Sequence, residues 1–158
     1  NIKKGLINFK GVQRRFNKIF SYNKIDFYDD YAHHPTEIRS VLEGVKNVYN
    51  KSEKVCIFQP HRISRLKDLR KEFSESFKDA DIVILCPIYT AGEKMKLGFS
   101  YNNFAKEIIK NSKVKLFLVN NNIQLAKFLK KNMYGNKIVI GMGAGSISNW
   151  IKKLPELM

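Results

Sequence analysis

The chain has 158 residues, enough for one domain with a sizeable core, and its 44% hydrophobic content excludes a disordered polypeptide. Lys and Arg outnumber Asp and Glu by 29 to 14, a formal net charge of +15, but the lysines are spread along predicted helix faces rather than gathered in one arm. That spread argues against a specific nucleic-acid stripe and remains compatible with attraction to a polyanionic small molecule.

The first residue is Asn1 rather than Met, and Asn1 to Lys10 shows no strong periodicity; the expectation is a piece of a longer chain that begins at a linker. Ile19-Phe20-Ser21-Tyr22 and Ile25-Asp26-Phe27-Tyr28, separated by Asn23-Lys24, predict a tight hairpin. A helix follows from about Pro35 to Tyr49, with Ile38, Val41, Leu42, Val45 and Val48 at helical spacing. Val55 to Phe58 reads as a buried strand, and Leu66, Leu69, Phe73 and Phe77 mark one face of a second helix. Ile82 to Cys86 is another buried strand, Thr90 to Ser100 a loop, and Asn102 to Lys110 a third helix. Val114 to Val119, Ile123 to Lys131, Ile138 to Ile140 and Ile147 to Leu154 complete the alternation as strand, helix, strand, helix.

Apolar strands alternating with helices predict an α/β fold: a mostly parallel, Rossmann-like sheet covered by helices on both faces, with an N-terminal antiparallel hairpin, over residues 1–158 as a single domain. No apolar run is long enough to span a membrane, and no signal peptide is visible. Cys56 and Cys86 lie inside strand-like runs without framework spacing, which predicts a reducing, cytosolic setting.

The most informative stretch is Asp29-Asp30-Tyr31-Ala32-His33-His34-Pro35-Thr36-Glu37, between a strand and a helix start. Pro35 suits the first helical turn because its missing N–H would be unpaired there. In an open α/β sheet, that edge is where ligands bind. The next strands end in Gln59-Pro60-His61-Arg62-Ile63-Ser64-Arg65 and Tyr89-Thr90-Ala91-Gly92-Glu93, and parallel strands should bring all three clusters to one edge. Arg62 and Arg65, three apart at a helix start, are able to grip one carboxylate or phosphate; the bland alternative is a surface network with Asp68 or Glu72. Gly141-Met142-Gly143-Ala144-Gly145-Ser146 is read as a tight strand-to-helix turn. Its third glycine comes too early for a dinucleotide fingerprint. No G-x-x-x-x-G-K-[ST] phosphate loop occurs, and His33 with His34 or His61 is not read as a metal set.

In order, the segments 29–37, 58–62 with Arg65, and 89–93 resemble the C-terminal domain of the Mur ligases. Gly11-Val12-Gln13-Arg14-Arg15-Phe16 resembles the way that family leads into the domain, and Gly143-Ala144-Gly145-Ser146-Ile147 its closing turn. Ile63-Ser64 departs from the aromatic and threonine usual there, and the loop after Glu93 is lysine-rich. The pairing of His-His-Pro-Thr-Glu with Phe-Gln-Pro-His-Arg is closest to the member that joins L-alanine to UDP-N-acetylmuramate. A related muropeptide-recycling ligase shares the first motif but typically differs in the second. A basic nucleotide- or nucleic-acid-binding module and a ligand-free adaptor are the competing non-enzymatic readings.

The resemblance implies an ATP-dependent amide-bond ligase of the bacterial cytoplasm, active in peptidoglycan precursor synthesis. ATP would phosphorylate the carboxylate of UDP-N-acetylmuramate, and the amine of L-alanine would attack the acyl phosphate. Mg2+ would be bound mainly by the central domain of the same chain, and this C-terminal lid would be inactive alone. Residue by residue, the resemblance places Arg15, Asp30 and Tyr31 at the nucleotide, His33 near the reacting centre, and His61, Arg62 and Arg65 on the substrate side. His33, Arg62 and Arg65 are the residues expected to carry catalysis, by positioning and charge stabilisation.

Overall fold

Asn23 and Lys24 reverse the chain with φ of 50° and 63°, the paired left-handed conformation that suits a two-residue hairpin with right-handed strand twist. They join β1 (Asn17–Tyr22) to β2 (Ile25–Asp30), antiparallel, with a bulge between Lys18 and Phe20. The structure, a computed structural model, describes residues 14–94 and 100–158. The Gly11-Val12-Gln13 part of the lead-in motif, the segment before it and residues 95–99 of the loop lie outside the described residues.

Beyond the hairpin come α1 (Pro35–Val48), β3 (Glu53–Phe58), α2 (Ile63–Asp68), α3 (Arg70–Ser74) and β4 (Ile82–Leu85). The chain ends with α4 (Tyr101–Ser112), β5 (Lys115–Leu118), α5 (Asn122–Asn132), β6 (Lys137–Met142) and α6 (Ile147–Leu157). The six strands form one sheet in the order β1-β2-β6-β3-β4-β5, and every pairing except β1–β2 is parallel. The predicted mostly parallel sheet with an initial hairpin is the observed one.

Alternation along each strand feeds two cores. Cys56, Phe58, Val83, Leu85, Ile138 and Ile140 face a layer of α1 to α4, where Ile38, Leu42, Leu66, Phe73, Phe77 and Phe104 meet them. Val55, Ile57, Ile82, Ile84 and Val139 face α5 and α6, through Leu125, Leu129, Ile147, Ile151 and Leu154. Each fully buried Phe or Leu contributes roughly 1.5–3 kcal/mol. Burial also pushes the Cys56 and Cys86 thiols far above their ordinary range, so they are packing groups rather than nucleophiles.

Two elements differ from the sequence reading. The apolar run 114–119 is not a covered strand: β5 is the last strand of the sheet, and Phe117 and Leu118 are 41% and 46% exposed. The helix expected to carry Leu66 through Phe77 is interrupted at Leu69 (φ −113°, ψ 27°). Leu66, Phe73 and Phe77 are still buried, and the Arg70 guanidinium donates twice to the Glu107 carboxylate, at 2.7 and 2.8 Å.

Register decides where the loops go. Asp30 pairs with Met142, Met142 with Phe58, Phe58 with Leu85, and Leu85 with Leu118, so the parallel strands end flush along one carboxyl edge. The glycine-rich turn after β6 is thin for a reason. Gly143 has φ of +148°, and a Cβ there would stand 2.7 Å from the Gln59 carbonyl oxygen; one on Gly145 would stand 2.5 Å from Tyr89 Cγ. Gly143→Ala should therefore cost on the order of 2–3 kcal/mol, a melting-temperature drop of roughly 4–12 °C. Gly135→Ala, where φ is +79° but nothing lies within 4 Å, should cost only about 1 kcal/mol. Thermal unfolding followed by circular dichroism checks this; equal losses at both positions would contradict the close-approach argument.

Candidate active site

Three loops and one turn meet on the flush edge. In the first loop, the two aspartates ending β2 are both folded inward. Asp30 is only 3% exposed and its carboxylate accepts the N–H of Phe16 (2.8 Å) and of Ala32 (2.7 Å). Asp29 accepts the Ser148 hydroxyl at 2.6 Å and pairs with Arg14 at 3.5 Å. The Arg14 guanidinium also donates to the Gly143 carbonyl and lies 4.8 Å over the Tyr31 ring, which stays 39% exposed.

The helix start sorts the two adjacent histidines. His34 is the N-cap of α1, its Nδ1 accepting the Thr36 N–H at 3.4 Å, and Glu37 closes the box by accepting the N–H groups of His33 (3.0 Å) and His34 (3.1 Å). Burial alone would raise the Glu37 pKa, but those two N–H donors and the nearby His33 and Arg15 hold it below the usual carboxylate range. His33 is left to face the site, its Nδ1 on the Tyr31 carbonyl at 2.9 Å.

In the second and third loops, backbone bonds tie Tyr89 N–H to Pro60 O and Arg62 N–H to Tyr89 O, both 2.8 Å. The His61 ring stacks on Tyr89 at 5.5 Å and meets the His33 ring edge-on at 5.9 Å; Tyr31 and His33 are 5.0 Å apart. Four aromatic rings from three loops thus form one chain of contacts. Arg65 donates to His61 Nδ1 at 3.3 Å. Arg62 takes φ of 69° at the start of α2 and is exposed. Among the described residues neither arginine forms an ion pair, so the expected alternative with Asp68 or Glu72 is not what holds them. Glu93 is held instead by the Ser64 hydroxyl (2.6 Å) and N–H (3.0 Å), which keep its pKa low. Arg15 is exposed at the rim, near enough for its charge to act on Glu37.

The fold is the one shared by solved ligase structures. A Thermotoga maritima UDP-N-acetylmuramate-alanine ligase superposes over 97% of this chain and 31% of that one, with a TM-score of 0.73 at 28% identity. A domain of a Haemophilus ducreyi ligase, solved by itself, matches over its full length and 91% of this chain, with a TM-score of 0.66 at 19% identity. In sequence, the Pelagibacter ubique UDP-N-acetylmuramate–L-alanine ligase is 71% identical over 99% of this chain, which spans 34% of that protein. The family description "Mur ligase, glutamate ligase domain" matches residues 14–145. The chain belongs to the Mur ligase family.

In this Mur ligase domain, sequence reasoning missed the residue that ties the edge together. Gln59 is buried; its Nε2 donates to Ser146 Oγ at 3.1 Å and its Oε1 accepts the Ile147 N–H at 2.9 Å, capping α6 from the end of β3. In the sequence it stood in the polar cluster that ends β3 and in the Phe-Gln-Pro-His-Arg motif, where nothing distinguished a turn-capping amide from a ligand contact. Among the described residues no group of three His, Cys, Asp or Glu side chains is arranged to hold a metal ion. No described helix is long and apolar enough to cross a membrane.

His61 gives the site a pH signature. Burial, then Arg65, His33 and Arg62, push its pKa below the ordinary 6.5, with Glu93 opposing. Below pH 6.5 the unfolded chain takes up a proton that the folded one resists, so stability falls as the pH drops from 6.5 toward the lowered folded pKa. The melting temperature should be lower at about pH 5.5 than at about 7.5, and His61→Gln should narrow that gap. An unchanged gap would remove His61 from the acid response.

Proposed function

We propose that this chain is the C-terminal, lid-forming domain of an ATP-dependent ligase that adds L-alanine to UDP-N-acetylmuramate in the bacterial cytoplasm. It spans about a third of the relatives it matches, so the UDP-sugar and central ATPase domains are assigned to the rest of the protein. The observation that carries the reading is the placement of Arg62 and Arg65, free of carboxylate partners among the described residues, beside His33 and His61 on an open ligand edge.

The roles follow from which groups the fold leaves available. An arginine fork matches a carboxylate, so Arg62 and Arg65 hold the L-alanine carboxylate and leave its amine toward the reacting centre, where His33 stands. His61 lines the same side. Arg15 and the exposed Tyr31 ring serve the adenosine end of ATP. Asp30 fixes the loop bearing Tyr31, and only the lone pairs not used by Phe16 and Ala32 remain for a ribose hydroxyl. Mg2+ would supply charge neutralisation to the phosphates, and its ligands are assigned to the central domain, since the described carboxylates offer no clustered set for it. Catalysis by this domain is positioning and charge stabilisation, and its closure keeps water from a hydrolysable acyl phosphate.

Kinetics of the full-length ligase test the assignment. Arg62→Ala removes a charge-assisted bond worth roughly 1.5–3 kcal/mol, so the apparent L-alanine affinity or kcat/KM should fall about ten- to hundredfold while the KM for ATP changes little. An effect confined to ATP would move Arg62 to the nucleotide. The 158-residue chain alone should release no phosphate above background from ATP, UDP-N-acetylmuramate and L-alanine; sustained turnover would overturn the division of labour.

A further inference from the structure

His33 and His61 have the same ring nitrogen, Nδ1, engaged in opposite hydrogen-bond roles. The Nδ1 of His33 faces the Tyr31 carbonyl at 2.9 Å and the Glu37 carboxylate at 3.4 Å. Both partners only accept, so Nδ1 carries the hydrogen and Nε2 keeps its lone pair in the neutral ring. The Nδ1 of His61 faces Arg65 Nη1 at 3.3 Å. A guanidinium only donates, so this Nδ1 keeps the lone pair and the hydrogen resides on Nε2. One loop therefore offers a basic nitrogen, and the other, 5.9 Å away between ring centres, a neutral donor.

Tyr89 keeps the second ring from turning. Its ring lies nearly parallel to His61, at 17°, and its main chain is bonded on both sides of His61, to Pro60 and Arg62. Behind it is Gly145, where even a methyl group would strike the tyrosine ring at 2.5 Å. Tyr89 is thus wedged between the second loop and the glycine turn.

We propose that Tyr89 and Arg65 are positioning residues that lock His61 as a neutral Nε2–H donor, opposite a His33 whose free Nε2 takes the proton from the incoming amino acid. This rests on the ligase reading above. The amino acid arrives as an ammonium ion. Its N–H bond breaks, the electron pair stays on nitrogen as the nucleophile, and the proton bonds to Nε2 of His33. The imidazolium keeps its Nδ1–H on the Tyr31 carbonyl, and Glu37 balances its charge. His61 stays neutral among Arg62, Arg65, His33 and Glu93, leaving its Nε2–H for an anionic oxygen of the substrate; its lowered pKa supports this. The groups facing His33 are Tyr31, Glu37 and His61.

Long-range 1H–15N correlation spectra of the 15N-labelled chain near pH 7.5 read the tautomers directly, with no turnover involved. His33 should show Nδ1–H and His61 Nε2–H. The same tautomer on both rings, or the reverse pair, overturns the inference whether or not the ligase reading stands. Tyr89→Ala should scramble the His61 tautomer and Tyr89→Phe restore it; an unaltered His61 in a folded Tyr89→Ala chain removes Tyr89 from the lock. In the full-length ligase, His33→Gln should lower kcat/KM for L-alanine by roughly 10²–10⁴-fold and abolish the acid limb of its pH profile. An acid limb that survives with wild-type rate removes His33 as the base. A wild-type protein that forms no amide from L-alanine would instead overturn the ligase reading, even with both tautomers as expected.

Discussion

Everything on the carboxyl edge depends on β6 lying between β2 and β3. The strand is the last in the sequence, yet it pairs in parallel with both, and its Met142 stands level with Asp30 on one side and Phe58 on the other. Moving β6 by one residue would turn Ile138, Ile140 and Met142 toward the wrong core and lift the glycine turn out of reach of Gln59. The N- and C-terminal parts of the described chain are thereby fastened to each other at the site. The Asp29–Ser148 and Arg14–Gly143 bonds add the side-chain layer of the same fastening.

That constraint explains which polar residues the fold consumes. Asp29, Asp30, His34, Gln59 and Glu93 would all pass for site residues by type. The structure engages each with a backbone N–H or a neighbouring hydroxyl: a bent strand end, a helix cap, a turn or a loop anchor. A buried carboxylate costs several kcal/mol unless its lone pairs are occupied, and here backbone N–H groups and hydroxyls do most of that work. Arg14 adds an ion pair to Asp29 at 3.5 Å rather than a hydrogen bond, while its guanidinium face supports the Tyr31 ring. Arg15, next in sequence, stays at the surface; adjacent residues of the same type are divided between scaffold and surface by where the chain enters the sheet.

Much of this was legible from the sequence, because period and punctuation carry it. The apolar runs 55–58, 82–85 and 138–140 alternate faces between two helix layers, and Pro35 and the turn Asn23-Lys24 mark element ends by their φ preferences. The convergence of the loops followed from strand direction alone. What stayed hidden was set by strand order. Val114 to Val119 reads as a core strand, but its hydrophobicity does not say that β5 has no neighbour beyond it. Likewise, nothing in Leu66, Leu69, Phe73 and Phe77 announces a break at Leu69, because the apolar spacing tolerates one extra turn angle while the same faces remain buried. In the site, the motif 29–37 did not say which histidine caps and which is free, since both neighbours satisfy the same spacing; only the Thr36 N–H and the Tyr31 carbonyl separate them.

If this domain meets its ligand by closing onto another body, as proposed, its functional groups must stand on an open face, and open polar side chains wander unless something holds them. A cavity of about 710 Å³ among Lys78, Asp81, Lys113 and Lys115 lies at the opposite edge of the sheet from the histidines. That cavity encloses none of the exposed rings, so it does not order them. Stacking and fixed hydrogen-bond polarity do: Tyr31, His33, His61 and Tyr89 brace one another in a chain of contacts, and a carbonyl and a guanidinium set which nitrogens point outward. Each ring in that chain is anchored from below by an element that the sheet register already fixes. On the proposed ligase reading, the order needed for chemistry is built into these loops, and closure would have only to bring the substrates to it.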